Sequence, residues 1–539
     1  MSEAVSGLSP AARESIERTH REGFTGGVNP WVIALTVTLA TFMEVLDTSI
    51  ANVSLPHIAG NLSVSQDEST WVLTSYLVSN AIVLPISGWF ATRFGRKRFY
   101  MACVTLFTIS SFLCGLAPNL GMLVFFRVLQ GLGGGGLGPS EQAILADTFP
   151  PAKRGMAFAV YGMAVVLAPA IGPTLGGYIT DSFSWRWIFF INIPVGILSL
   201  FLSQRVVQDP PHLIEAKKKV SGIDSIGLAL IAVGLGALEV VLDKGQEDNW
   251  FTSPFITMFS IIAAVALVSF VFWEWNNQHP IVEVRLFANR NFATANVMML
   301  ALGMALFGTT VLLPQYLQVW MGYSAQDAGM ALSPGGIAVI LLLPIVGKLI
   351  GKVDTRYLIA FGFTVLSAGT FHMAFTLYPG IDFHTAVWLR IYQACGLAFL
   401  FVPINTIVYT GIPPDKSNQV SGIVNLSRNM GGDIGIALVT TLIARRSQFH
   451  QAVLTSHASA ANPALQAKLS ASAAALMHAG ASAVDASRAA YGTIYRQVFQ
   501  QAQTLAYLDT LFVLACITSL MVPAVMLTRK AAGRAQMGH

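Results

Sequence analysis

Two acids interrupt the first long apolar stretch of the chain, Glu44 and Asp47 in EVLDTSIANVSLP. A charge near a bilayer centre costs at least about 2.5–3.5 kcal/mol, so acids in such places normally line a cavity or a proton route. The i, i+3 spacing puts both carboxyls on one helix face. Burial and a nearby like charge both make a carboxyl easier to protonate, so such a pair can exchange protons near neutral pH. Asp47 is the expected proton carrier. Glu44 either shares that task or lines a cavity that attracts cationic substrates. The competing reading is structural: each acid is neutral or hydrogen-bonded to a neighbouring helix, through Asn52 or Thr48.

Other polar residues enter apolar segments. Arg127 lies in FFRVLQGLGGGGLGP and needs a partner or a wet cavity. Gln130 shares its helix face. Gly131 and the glycines that follow let a helix or substrate approach the backbone and make the segment deformable. Further on, Pro169 and Pro173 break the helical hydrogen-bond ladder. Gly172 and Gly176 form a small-xxx-small pair with Gly177 beside it. In GWFATRFGRKR, Gly88 and Gly95 permit a tight turn, and Arg93, Arg96, Lys97 and Arg98 anchor it on the cytosolic face. The same turn can act as a gate latch, with Arg93 pairing to an acid such as Asp147. Asn425, Arg428, Asn429 and Asp433 interrupt a late apolar run. Arg428 and Asp433 are five residues apart, so partners on other helices, in a buried polar network, are expected.

Composition fixes the elements that carry these groups. The 539 residues are 54% hydrophobic and 11% charged, against about 25% charged in soluble domains. A spanning helix needs about 20 largely apolar residues, and fourteen candidate spans begin near residues 31, 70, 99, 121, 157, 187, 223, 254, 293, 326, 358, 387, 420 and 504. Basic residues alternate between the links, as in Arg93–Arg98, Lys153 and Arg154, Lys217–Lys219, Arg285 and Arg290, Lys352 and Arg356, and Lys416. The positive-inside rule then puts both termini in the cytoplasm. The long link 444–503 is Ala- and Ser-rich and is expected outside, as a solvated helical hairpin or a docking surface for an envelope partner.

Several function classes drop out. No dense basic face accompanies the formal net charge of +5, so nucleic acid is not an expected partner. There is no GxxxxGK[ST] loop, and histidines are dispersed. Four cysteines fall in apolar runs without CxxC spacing. No enzyme, metal site or cofactor is expected.

At these residues the sequence resembles the major facilitator superfamily, and more narrowly its fourteen-helix drug:proton antiporters of the EmrB/QacA type, in particular the EmrB-like inner-membrane component of Gram-negative tripartite efflux pumps. LDTSIANVSLP (46–56), GWFATRFGRKR (88–98), RVLQGLGGGG (127–136), GPTLGG (172–177) and WRWIFFINIPVG (185–196) resemble the family's signatures in order. One departure is Thr92, where the loop motif usually has an acid that helps form a charge-relay latch.

The resemblance implies an all-α integral membrane protein of 14 transmembrane helices, with two six-helix halves around a central extra pair. On this chain that means a cytoplasmic tail at 1–28, an N-terminal half at 29–206, the extra pair and linkers at 207–275, a C-terminal half at 276–528 and a tail at 529–539. It implies alternating access in the bacterial inner membrane, driven by the proton-motive force, with hydrophobic or amphipathic compounds as cargo. It also implies an EmrA-like periplasmic adaptor and a TolC-like outer-membrane channel as partners. The rival readings are an exporter of an endogenous fatty acid, siderophore or metabolite, a nutrient importer, and a receptor or scaffold that transports nothing.

Overall fold

The apolar runs form helices throughout the described residues of the computed structural model: 23–211, 213, 222, 224–350, 352–413, 416–458 and 462–528. Most of the expected tail at 1–28, all of the tail at 529–539, and Lys217–Lys219 lie outside them. The long helices are α1 Pro30–Leu62, α2 Trp71–Phe94, α3 Arg96–Leu116, α4 Leu120–Thr148, α5 Pro151–Ser182, α6 Asn192–Val206, α7 Ser225–Lys244 and α8 Pro254–Asn276. They continue with α9 Arg290–Met321, α10 Ala325–Leu349, α11 Thr355–Thr376, α12 Phe383–Ile407, α13 Ser417–Ser456 and α14 Ala483–Ala524.

The starts follow capping chemistry. Asn29 accepts from the Trp31 amide with Pro30 at the first helical position, and Asn119 accepts from Met122. Asp382 opens α12 by accepting from the Thr385 hydroxyl and amide, and these bonds hold its carboxyl below the ordinary range.

Among the described residues, twelve helices are long and apolar enough to cross a membrane. α5 adds a thirteenth as a bent pair, turning 43° between Lys153–Pro169 and Ile171–Ser182. Pro173 has no N–H to give the Pro169 carbonyl, and Ser49 Oγ of α1 approaches that oxygen at 3.5 Å instead. α13 carries too many polar residues to meet the same apolar criterion. The long link is mostly helix: α13 runs on to Ser456, a short helix spans Pro463–His478, and α14 starts at Ala483 rather than near 504.

The core is distributed unevenly. Away from the basic links each half has its own cluster: Leu46, Ile50, Val72 and Phe189 in the first, and Leu312, Tyr316, Met373 and Tyr507 in the second. Toward the basic links one continuous cluster joins both, from Tyr100, Leu145 and Phe158 to Phe401, Ile404 and Val420. Helices in a membrane associate through close packing and interhelical hydrogen bonds, and this cluster packs the halves together at the basic-link side.

Candidate functional site

Helices α1, α4 and α6 converge on one buried ion pair. Arg127 Nη1 donates to Asp47 Oδ2 at 2.6 Å and to Gln130 Oε1 at 2.8 Å. Gln130 Nε2 and Asn192 Nδ2 both donate to Asp47 Oδ1, at 3.0 and 2.6 Å. Arg127 Nε reaches the Val72 carbonyl of α2 at 2.9 Å, and the Tyr76 ring lies 4.3 Å from the guanidinium carbon. Asp47 and Arg127 are 2% and 0% exposed. Two charges this deep repay their desolvation only through good geometry and satisfied lone pairs, and losing one partner costs about 3–5 kcal/mol. Gly131 makes the approach possible: a Cβ there would sit 2.4 Å from the Tyr76 carbonyl.

Glu44 belongs to a neighbouring cluster. Its Oε1 accepts from Tyr76 Oη at 3.1 Å and Asn80 Nδ2 at 3.2 Å. Tyr76 thus touches both acids' surroundings. Thr48 donates to its own helix at Val45, and Asn52 is exposed, so neither stabilises Asp47 as the structural reading expected. Asn192, Tyr76 and Asn80 were missed. Asn192 sits inside WRWIFFINIPVG, and an Asn in so apolar a run was the available signal.

At the basic-link side Asp147 meets a different arginine from the one suggested by the sequence. Asp147 of α4 accepts from Arg96 Nη1 at 2.8 Å, whereas Arg93 stands exposed at the end of α2. Arg96 also donates to Asn418 Oδ1 at 2.7 Å and Ser417 Oγ at 3.3 Å on α13. One buried side chain therefore ties α3 and α4 to the second half. Thr92, the departure from the family motif, accepts from Asn418 Nδ2 at 3.3 Å, so a neutral pair meets where the motif has an acid. Gly95 has φ +97°, the turn geometry its lack of a side chain allows. Gly88 lies against the Gln419 backbone, where a Cβ would come within 2.7 Å.

Gly172 and Gly176 of α5 pack on Ser49 and Ile50 of α1, whereas Gly177 faces open space and takes no part in that contact. In α13, Asn425 Nδ2 donates to Gln142 Oε1 at 2.9 Å, and Tyr161 of α5 donates to Asn425 Oδ1 at 3.0 Å. Arg428 donates to Tyr161 Oη and to Asn429 Oδ1, at 2.8 and 3.1 Å. Asp433 points elsewhere. It lies within electrostatic reach of Asp243 and Glu239 on α7, and Thr74 of α2 donates to Asp243.

The second half repeats the Arg127–Gln130 spacing. Arg390 Nη1 of α12 donates to Gln393 Oε1 at 2.6 Å and Thr309 Oγ1 of α9 at 3.1 Å, and Nη2 donates to Thr310 Oγ1 at 3.2 Å. Its buried Nε has no partner among the described residues. Arg390 also lines a narrow crevice between α5, α9, α10 and α12, walled by Val166, Pro169, Leu306, Phe307, Leu332 and Val339, with free space for about one water molecule.

A helical bundle whose two halves are packed together at one end, with a buried ion pair inside the first half and an apolar crevice between α5 and the second, has the build of a membrane transporter. The family model of the Major Facilitator Superfamily matches residues 37–436. The multidrug export protein EmrB of Escherichia coli (strain K12) is 40% identical over 439 residues, which cover 81% of this chain and 85% of that protein. The fatty acid resistance protein FarB of Neisseria gonorrhoeae is 40% identical over 433 residues, covering 80% and 84%. The solved structure of the proton:xylose symporter XylE bound to 6-bromo-6-deoxy-D-glucose aligns with TM-score 0.56 at 15% identity, over 78% of this chain and 90% of that one, a likeness of fold. The chain belongs to the Major Facilitator Superfamily and, within it, to the EmrB-like drug transporters. It is a multi-pass inner-membrane protein.

Proposed function

We propose that this protein exports hydrophobic and amphipathic compounds in exchange for protons, by alternating access, with Asp47 as the proton carrier. The observation that carries the reading is the Asp47 centre. A buried carboxylate there is balanced by one cation, Arg127, which has other places to rest. When Asp47 takes a proton from the periplasm, Arg127 keeps the Val72 carbonyl, Gln130 and the Tyr76 ring. The protonated acid keeps Asn192 and Gln130. Protonation thus removes the charge that holds Arg127, whose Nη2 has no hydrogen-bond partner among the described residues, and leaves the cation to neutral groups only, which favours moving α1 against α4. The seal at the basic links, closed by Arg96, Asn418 and Ser417, releases in the inward-facing state. Cargo enters the crevice from the cytosol or the inner leaflet, and loss of the proton resets the pair. Few fixed polar contacts in the crevice favour loose specificity.

The twelve-helix core is completed by α7 and α8 as the central extra pair, with α13 as a polar fourteenth span. Beyond the membrane, the short helix Pro463–His478 and the start of α14 expose Met477, Val484, Tyr491 and Tyr495. This surface suits a periplasmic adaptor of the EmrA type, itself feeding a TolC-like channel.

The test is efflux from proteoliposomes under an imposed pH gradient, across lipophilic dyes, uncouplers and long-chain fatty acids. Asp47→Asn should abolish gradient-driven efflux while leaving cargo binding intact. Transport by that variant in proportion to the gradient refutes Asp47 as the carrier.

A second reading, export of an endogenous fatty acid, is favoured by Arg390. A cation with an unpaired Nε in an apolar crevice suits a carboxylate on a long hydrocarbon chain. Arg390→Gln should then lower affinity for oleate far more than for oleyl alcohol. Equal losses would return the protein to the broader class.

A further inference from the structure

A polar seam runs from Asp47 toward the basic-link side. On α1, Asp47, Glu44, Thr41 and Thr38 follow at three-residue intervals, each neighbouring the next, on a line that winds around the helix over about 14 Å. Across from Thr38 stands Glu141 of α4, wholly buried at 0% exposure. Thr38 Oγ1 donates to Glu141 Oε1 at 2.5 Å, and Oε2 has no hydrogen-bond partner among the described residues. Glu141 is within electrostatic reach of Glu44 on α1, and of Arg428 on α13. Tyr161 of α5 and Tyr100 of α3 complete the titratable groups facing it.

Beyond Glu141 the seam continues. Tyr100 Oη donates to the Val37 carbonyl at 3.1 Å, and the hydroxyls of Ser199 and Ser203 on α6 lie beside it. Both serines, like Thr41, are buried with an unpaired oxygen. Such atoms are rare in native interiors and are where ordered water binds. The Thr41 hydroxyl stands beside Glu141 as well. Ionised, Glu141 is a buried charge supported by the Thr38 and Thr41 hydroxyls and, at longer range, by Arg428. Protonated, it has Thr41 beside it to take the proton or return it.

We propose that Glu141 is the inner station of a proton path, receiving the proton that leaves Asp47 by way of Glu44 and Thr41 and discharging it past Tyr100, Ser199 and Ser203 to the basic-link side. The transfer moves one proton and changes only O–H bonds. Asp47 returns to carboxylate and recovers its ion pair with Arg127. Each hydroxyl or water on the way accepts one proton and gives one up. Glu141 is restored when it discharges. The path rests on the reading of Asp47 as the carrier.

Infrared difference spectroscopy of the full-length protein in proteoliposomes reads carboxyl protonation without any transported compound. Stepping the pH at the basic-link side should give a protonated-carboxyl band that Glu141→Gln removes and Asp47→Asn keeps. Glu141→Gln retains the shape and an acceptor for Thr38. It should slow the response of the Asp47 band by about tenfold or more. Thr41→Val, which leaves every acid in place, should slow the same response. An Asp47 band that follows the basic-link pH at the wild-type rate in both variants overturns the path. A wild-type spectrum unchanged by Asp47→Asn overturns the reading of Asp47 instead, so the two failures are distinguishable.

Discussion

Two halves of this molecule carry the same arginine–glutamine pair and surround it differently. RVLQ at 127–130 and RIYQ at 390–393 place the same side chains on α4 and α12. In the first half the guanidinium meets the Asp47 carboxylate at 2.6 Å. In the second it meets Thr309, Thr310 and Gln393, all neutral, and faces the crevice. The first cation is compensated and its partner can take a proton. The second is held by hydroxyl and amide oxygens and keeps a positive charge available to cargo. On the proposed reading, a duplicated scaffold has divided its labour, with proton exchange in one half and cargo contact in the other.

The largest contrast is in stability. Arg127→Leu leaves the Asp47 charge buried and unpaired, which should cost about 3–5 kcal/mol. Arg390→Leu removes a charge whose partners among the described residues are all neutral and can pair with one another, for about 1–3 kcal/mol. Thermal unfolding of the purified variants at one pH compares them directly. Equal losses would mean that Asp47 is already protonated in the resting protein, and the two centres would then be electrostatically alike.

A smaller effect tests whether position matters as well as chemistry. Thr309→Asp gives Arg390 the carboxylate that Arg127 has. If an acid beside an arginine were sufficient for coupling, the double variant Asp47→Asn with Thr309→Asp would recover gradient-driven efflux. The expected outcome is no recovery, because Glu44, Thr41 and Glu141 run beside α1 and α4 only. Recovery to more than a small fraction of wild-type efflux would show that the seam in the first half is dispensable.

What the sequence made legible follows the physics of each feature. Helices are local, so run length and hydropathy located the long elements to within a turn or two. The last one escaped because Ala-rich, moderately polar sequence before residue 504 forms helix without looking like a span. Asp47 and Arg127 stood out because a charge in an apolar run is costly wherever it lands. Their partner Asn192 is neutral and comes from α6, a tertiary fact that no spacing on α1 encodes. Glu141 was passed over because it follows the glycine run in a segment already read as a packing surface. The repeated R-x-x-Q was present in the sequence as a second signal and marks the C-half site as plainly as the first.

The turn at Gly95 is the more instructive case, because Arg93 and Arg96 lie three residues apart and carry the same charge. Gly95 sits between them with φ +97°, and the turn ends α2 before α3 begins. Arg93 is left on the outside of that turn, while Arg96 is directed inward at the first residue of α3. Arg96→Ala removes the bonds to Asn418, Ser417 and Asp147. At about 0.5–1.5 kcal/mol per lost hydrogen bond, the balance between sealed and open forms should shift roughly tenfold. Maleimide labelling of the Gln419→Cys variant, whose backbone lies against Gly88 across the same contact, should accelerate accordingly. Arg93→Ala should leave that rate unchanged. If Arg93→Ala loosens the seal and Arg96→Ala does not, the contact that joins α3 to α13 is not what holds the basic-link side shut, and the contrast between a sealed end and a divided end loses its cause.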